Sequence, residues 1–315
     1  MILTVTPNAT VDKTYRVEDF RLGQVNRPSL TYTVAGGKGL NVARVYQKLG
    51  GTAISTGFLG GLNGRIVAQA MKQEALPDEF VRIPGDTRIC IAVIDPNNGT
   101  QTEVNERGPE VAARSVRELL RRVARLLSQH AFEFVVLSGS LPPGVPDTLY
   151  ADLIGIARKA GVRAVLDSSG KALLAGLEAK PFLVKPNRAE LESLFGDPLR
   201  ERADIIEAAR ALNERGIALV AATQGAEGAI LITSGKGWWA VPPKIEFVSA
   251  VASGDSFVAA FLWAWKHGEC PGDPAFALRL ATAAGAANAA VIGAGFCTRD
   301  AIMTLAECAE VPSLV

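Results

Sequence analysis

The sequence predicts an α/β fold, a mostly parallel central sheet with helices on both faces and a smaller β-sheet beside it. Two observations carry this expectation. Short β-branched runs alternate with helical apolar stripes along most of the chain, which is the pattern of repeated β-then-α units. Two segments, 13–34 and 88–104, break that rhythm with strand patterns, turns and no helix between them.

Taken in order, residues 2–6 read as a strand, 40–49 as a helix ending at Gly50-Gly51, 53–58 as a strand and 65–73 as a helix. Val116, Leu119, Leu120, Val123, Leu126 and Leu127 form an i, i+3, i+4 stripe, the mark of an amphipathic helix. Residues 134–137 make a buried strand and 149–160 a helix. Strands follow at 162–166 and 182–184, with helices from Arg188 and over 203–215. Strands at 217–222 and 229–233 precede a region that is mostly helical after Gly254. The β-then-α order predicts parallel pairing through right-handed crossovers. Segments 13–34 and 88–104, with turns at Gly23 and Pro96-Asn97-Asn98-Gly99, are expected to form a small antiparallel sheet. It would serve as a lid, a dimerisation surface, or both.

Composition narrows the function. The chain has 315 residues, 48% apolar and 21% charged, which excludes disorder and fibrous repeats. That length suits one large domain with a small appendage, or two modest domains. Lys plus Arg is 33 and Asp plus Glu is 32, a net charge of +1, so neither nucleic acid nor an acidic membrane is an expected partner. Cys90, Cys270, Cys297 and Cys308 lack CxxC spacing, and His130 and His267 are the two histidines. A zinc site and a disulfide framework are therefore not expected, and reduced thiols suit the cytoplasm. The opening residues 1–6 read as a strand rather than a signal peptide. The uncharged run 280–298, built on Ala and Gly, is too weakly apolar to cross a membrane.

Five motifs fall at predicted strand ends or helix starts, where ligands bind in open α/β sheets. Residues 35–43 place Gly36, Gly37 and Gly39 before a helix, with Lys38 and Asn41 among them. Glycine permits close backbone approach and positive φ, and a helix N-terminus attracts anions. Residues 251–257 contain Ala252-Ser253-Gly254-Asp255 at a second helix start. The N–H groups of 253–255 would face an incoming phosphoryl group, and Asp255 could accept a proton from a hydroxyl. The competing reading is an ordinary Ser or Asp N-cap. Asn187 and Glu190, in Lys185-Pro186-Asn187-Arg188-Ala189-Glu190, share a helix face and suit Mg²⁺ held through water, or else form a capping box. Residues 222–228, with Thr223, Gly225 and Gly228, either cradle nucleotide phosphates or form a hairpin turn. The fifth motif, Ser138-Gly139-Ser140-Leu141-Pro142-Pro143, follows a strand directly.

Together these motifs resemble the PfkB family of carbohydrate kinases over essentially the whole chain. Residues 35–50 resemble its first signature and 251–264 its second, with Lys185-x-Asn187-x-x-Glu190 between them. The run Thr4-x-Thr6-Pro7-Asn8-x-x-Val11-Asp12, followed by Gly36-Gly37-Lys38-Gly39-x-Asn41-Val42, is similar to the hexose-phosphate branch of that family. Thr87-Arg88, residues 138–142 and Asp167-x-Ser169-Gly170 match it too.

The resemblance implies a ribokinase-like α/β/α sandwich, one kinase domain over 1–315 whose lid strands lie near 13–34 and 88–104. It implies ATP-dependent phosphorylation of a ketohexose phosphate with Mg²⁺, fructose 1-phosphate to fructose 1,6-bisphosphate ahead of tagatose 6-phosphate as substrate. By the family pattern Asp255 is the base, and the backbone of Ala252, Ser253, Gly254 and Asp255 is the anion hole. Asp12, Gly37 and Asn41 hold sugar hydroxyls. Lys38, Arg88 and Ser138, with Arg27 from the lid, hold the substrate's phosphate. Asn187 and Glu190 organise Mg²⁺ through water. Lys185, Asn187, Thr223, Gly225 and Gly228 hold ATP, and Asn288 lies near the adenine. A homodimer through the lid is expected. The family commonly has Gly-Ala-Gly-Asp where this chain has Ala252-Ser253-Gly254-Asp255, and Ala costs energy wherever φ must be positive. That departure motivates a contrasting reading, a non-catalytic sugar-phosphate-binding protein on a kinase fold.

Overall fold

The computed structural model describes residues 1–268 and 271–314, and Cys270 lies outside them. In chain order the first half contains β1 (Ile2–Thr6), β2 (Thr10–Arg16), β3 (Leu30–Gly36), α1 (Lys38–Lys48), β4 (Ala53–Gly60), α2 (Gly61–Gln73), β5 (Val81–Ile83), β6 (Arg88–Asp95), β7 (Thr100–Asn105), α3 (Ala113–Gln129) and β8 (Phe134–Ser138). The second contains α4 (Leu149–Lys159), β9 (Arg163–Asp167), α5 (Gly170–Glu178), β10 (Leu183–Val184), α6 (Arg188–Phe195), α7 (Arg202–Glu214), β11 (Leu219–Thr223), β12 (Ala229–Thr233), β13 (Lys236–Ala240), α8 (Ser253–His267), α9 (Pro274–Ala289), α10 (Arg299–Cys308) and β14 (Ser313–Leu314).

The large sheet runs β14-β13-β12-β11-β10-β9-β8-β1-β4-β5. It is parallel from β5 to β11 and antiparallel through β12, β13 and β14. Its strands are nearly continuous apolar runs because helices cover both faces. Alternate side chains show this directly. Leu3, Val5, Val135 and Leu137 pack into one core cluster with residues of α3, α4 and α7, whereas Ile2, Phe134 and Val136 pack into another with α1, α8 and α9. In α3, Val116, Leu119, Val123, Leu126 and Leu127 are all buried, as the apolar stripe predicts. Each such side chain contributes about 1.5–3 kcal/mol of transfer free energy.

The small sheet runs β3-β2-β6-β7. The expectation of an antiparallel sheet needs one correction. The β2–β3 and β6–β7 pairs are antiparallel, but β2 and β6 are parallel, from Thr10 opposite Arg88 to Arg16 opposite Ile94. The reason is connectivity. Between β3 and β6 the chain passes through α1, β4, α2 and β5, a crossover long enough to bring β6 back in the same direction as β2. The β2–β3 ribbon also has a long loop, so that strand ends at Arg16 and resumes only at Leu30.

β1 is the hinge of the topology. The chain first extends from it toward β4 and β5, then returns to β8 on its other side and continues outward. Strand order reverses there, which opens a crevice at the carboxyl ends of the strands.

Candidate active site

That crevice collects the chain's polar residues. Across the sheet the carboxyl ends carry Thr6 on β1, Ser138 on β8, Asp167 on β9, Lys185 after β10 and Thr223 on β11. Several are buried and chemically unfinished. Thr6 Oγ1, Asn8 Oδ1, Thr10 Oγ1, Ser138 Oγ and Asp167 Oδ2 are buried polar atoms with no hydrogen-bond partner among the described residues. Orphans of this kind are rare in native interiors and mark a place where a ligand or water completes the bonding.

The glycines before α1 bring the backbone into that crevice. Gly37 has φ 109°, and a Cβ there would lie 2.7 Å from Thr6 Cγ2. A Cβ on Gly36 would overlap the Asp12 carboxylate at 1.9 Å, so Asp12 occupies the space that glycine leaves. Burial pushes the Asp12 carboxyl up to about 6, against the nearby Thr10 hydroxyl and the Arg88 and Arg44 charges. Arg88 is fixed at the base of the small sheet, with Nε donating to Asn8 O at 3.2 Å and Nη1 to Glu106 O at 3.1 Å.

Two lysines meet one buried carboxylate. Lys38 Nζ lies 2.9 Å from Asp167 Oδ1 and Lys185 Nζ lies 3.3 Å from the same atom. Burial opposes the charge on Lys38, but Asp167 and Asp255 outweigh it and hold the ammonium above its usual range. Asp167 is wholly buried, which favours its neutral form, yet the two lysines reverse that and keep its pKa low.

Asp255 lies at the start of α8, buried to 5% exposure. Asn41 Nδ2 donates to its Oδ2 at 2.8 Å. Burial pushes the Asp255 carboxyl up to about 6, partly offset by Lys38, with Asp167 raising it further. The turn before it is not a side-chain N-cap. Ala252 occupies the cap position at φ 63°, in the left-handed region, with no side-chain cap bond. The Ser253 N–H is bonded to Ala250 O, and among the described residues the N–H groups of Gly254 and Asp255 have no backbone acceptor. Lys185 Nζ approaches the same turn, since a Cβ on Gly254 would sit 3.3 Å from it.

The third motif forms the capping box. Asn187 Oδ1 accepts from Glu190 N at 2.8 Å and Glu190 Oε2 accepts from Asn187 N at 2.9 Å. The pair still borders the crevice, because burial raises the Glu190 carboxyl while Lys185 draws it back. Among the described residues no group of three or more His, Cys, Asp or Glu is placed to hold a metal ion. The fourth motif is a β-hairpin turn. β11 and β12 are antiparallel and joined through a 3₁₀ turn at Gly225–Glu227. Gly228 there has φ 98°, and a Cβ would overlap Ala240 O at 1.9 Å.

Two expected residues lie elsewhere. Asn288 is wholly buried, with Nδ2 donating to Val251 O at 2.6 Å and Oδ1 accepting from Gly295 N at 2.9 Å. Its amide braces the turn before Asp255. Arg27 is exposed in the loop between β2 and β3, and among the described residues no polar contact of its side chain joins it to the crevice. Sequence reasoning assigned no role to Asp167, although the Asp167-x-Ser169-Gly170 match at a strand end was the signal for it. Arg44 was missed entirely.

The strand ends thus gather two lysines, a buried carboxylate and a helix N-terminus into one crevice. The chain belongs to the pfkB family of carbohydrate kinases, whose model matches residues 5–301. It is 35% identical to a 1-phosphofructokinase of Bacillus subtilis over 289 residues, 92% of each chain. It is 38% identical to a 1-phosphofructokinase of Rhodobacter capsulatus over 282 residues, 90% of this chain and 88% of the relative. Among solved structures it resembles the phosphofructokinase-2 of Escherichia coli in complex with substrates and products, with a TM-score of 0.89, 30% identity and 98% of each chain covered. The α/β architecture expected from the resemblance is the one found.

Proposed function

We propose that this chain transfers the γ-phosphoryl group of ATP to a ketohexose phosphate, converting fructose 1-phosphate to fructose 1,6-bisphosphate, with Asp255 as general base. The observation that carries this reading is Asp255 itself, buried at the start of α8 with a carboxyl near pH 6 and one oxygen already bonded by Asn41. A base with a pKa close to the working pH is the one general-base catalysis favours. Both curated relatives reported above are 1-phosphofructokinases, which supports this substrate over tagatose 6-phosphate.

In this reading Asp255 takes the proton of the acceptor hydroxyl, and the hydroxyl oxygen bonds to the γ-phosphorus as the bond to ADP breaks. The free N–H groups of Gly254 and Asp255 stabilise the charge on the transferring phosphoryl group. Lys38, Arg88 and the orphaned Ser138 hydroxyl hold the phosphate already on the sugar, where charge-assisted bonds are strong. Asp12, Gly37 and Asn41 hold its hydroxyls, with the unpaired Thr6, Asn8 and Thr10 atoms beside them. Lys185 and the hairpin at Thr223, Gly225 and Gly228 take the ATP phosphates. Asn187 and Glu190 would hold a magnesium ion largely through water, Glu190 keeping one carboxylate oxygen outside the capping box. When bound, that ion neutralises phosphate charge.

The left-handed Ala252 supports a catalytic protein over a non-catalytic one, because the turn keeps its form despite losing a glycine. We take the chain as one catalytic unit, with the small sheet as its lid and the cytoplasm as its compartment. No helix among the described residues is long and apolar enough to cross a membrane. The lid also supports a homodimer, since Leu22, Val25, Leu30 and Val104 are exposed on or beside it.

The test is Asp255→Asn. Turnover with ATP and fructose 1-phosphate should fall by about 10²–10⁴-fold with sugar-phosphate binding retained. Unchanged turnover would remove Asp255 as the base.

A further inference from the structure

Arg44 is buried to 4% exposure on α1, one helical turn beyond Asn41, and all five of its N–H groups are used. Nε and Nη2 grip the Glu74 carboxylate at 2.8 and 3.1 Å. Nη1 donates to Asn41 Oδ1 at 2.9 Å and to Ala294 O at 2.8 Å. The second Nη2 hydrogen goes to Ala35 O at 2.7 Å, near the end of strand β3 and just before the glycine run. One guanidinium thus joins α1, the end of α2, the root of the small sheet and the loop that follows α9.

The consequence falls on Asn41. A carboxamide presents either its oxygen or its NH₂ to a neighbour, and the two orientations are otherwise nearly equal in shape. Arginine is donor only, so the end of the amide facing Nη1 must be the oxygen. The end facing Asp255 is then the NH₂, which meets Oδ2 at 2.8 Å. Among the described residues Asp255 Oδ1 has no hydrogen-bond donor. The reversed amide would offer its oxygen to Asp255, and that arrangement suits only the protonated acid.

We propose that Arg44 is a positioning residue of the phosphoryl transfer. It locks the Asn41 amide so that Asp255 is bonded through Oδ2 and free to accept the proton at Oδ1, and it ties that state to the small sheet through Ala35. This rests on Asp255 being the base. Lysine cannot replace it, because one ammonium has three donors and no planar fork to reach Glu74, Asn41, Ala35 and Ala294 together.

The charged groups facing Asp255 are Lys38 from α1, Asp167 from β9 and Lys185 after β10. None of the three bonds to Arg44, so a change in the profile that needs Asn41 reports the amide. The experiment is a double-mutant cycle of Arg44→Met with Asn41→Ala, read as kcat, KM and the acid limb of kcat against pH, with Asp255→Asn in parallel. Arg44→Met should lower kcat about tenfold and raise the acid limb by about one unit, the scale of one lost charge-assisted bond. In the Asn41→Ala background the same change should do little. Arg44→Lys keeps the charge beside Glu74 and guards against misfolding of the methionine variant. It should lose kcat to a similar degree, again only when Asn41 is present. Full kcat in Arg44→Lys, or an undiminished loss in the Asn41→Ala background, overturns the proposal while an inactive Asp255→Asn leaves the base in place. An active Asp255→Asn overturns both.

Discussion

Asp255 carries two predictions at the scale of a single residue. Its carboxyl is raised to about 6 by burial, so the proposed base would be protonated and idle below that pH and ionised above it. Turnover should therefore fall on the acid side of about pH 6 and level off above it. A rate profile flat down to pH 4 would contradict the assignment. The same shift bears on stability. An acid whose folded pKa exceeds its unfolded value destabilises the fold increasingly between the two values, and fully above the higher one. Asp255→Asn should thus be more stable than the parent above pH 6, by on the order of 2–3 kcal/mol, and should lose that advantage below pH 4. Denaturant unfolding of both proteins at pH 4 and pH 7.5 checks it. Ala252 is the second case. At φ 63° it holds a conformation that costs an L-residue about 1–2 kcal/mol, so Ala252→Gly should stabilise the protein by up to about 1 kcal/mol after the added chain entropy of glycine is counted. Chemical unfolding should show the midpoint rising. A falling midpoint would mean the turn is not strained.

Among the elements, the junction of β3 and α1 is where local sequence and tertiary contact agree most tightly. Three glycines there are required by Asp12 and Thr6, not by flexibility. Gly37→Ala should lower kcat/KM for the sugar phosphate by at least tenfold, because its Cβ meets Thr6 Cγ2 at 2.7 Å while Thr6 is itself buried. Steady-state kinetics with intact folding would check this, and a kinetically normal variant would contradict it. This junction was legible in the sequence because a glycine run that leads from a strand into an amphipathic helix marks a close backbone approach. Helices with a strong stripe, such as α3, were legible for the same kind of reason. β5, β13 and β14 were not, since strands of two to five residues at a sheet edge have too few apolar positions to show a period. α5 was hidden as well, because its nine residues begin at a glycine with no capping side chain. The parallel pairing of β2 with β6 depends on an intervening crossover, which no local pattern records. The bracing bonds of Asn288 were not legible, because its partners, Val251 and Gly295, lie on separate loops.

For the molecule as a whole, the large sheet is the scaffold and the small sheet, in the proposed reading, is its cover. The large sheet sets the strand ends at fixed spacing, Arg44 ties the root of the small sheet to α1, and Asp95 braces the small sheet's own far turn by accepting from the Asp19 and Phe20 N–H groups. Exposed Leu22, Val25, Leu30 and Val104 leave the small sheet with apolar surface to cover. A second copy is the occupant expected here. Light scattering should give a mass near twice 33.2 kDa, and Leu22→Glu with Val25→Glu should bring it down to that of one chain. A single-chain mass in the parent protein would remove the dimer. The account as a whole stands on the site being a kinase for a phosphorylated ketose. The most direct measurement is ADP release with ATP and Mg²⁺, run side by side on fructose 1-phosphate, tagatose 6-phosphate, fructose 6-phosphate, free fructose and ribose. The expected result is a clear preference for fructose 1-phosphate. A preference for a free sugar would contradict the roles of Lys38, Arg88 and Ser138, and no turnover by folded protein that binds ATP would contradict the catalytic reading itself.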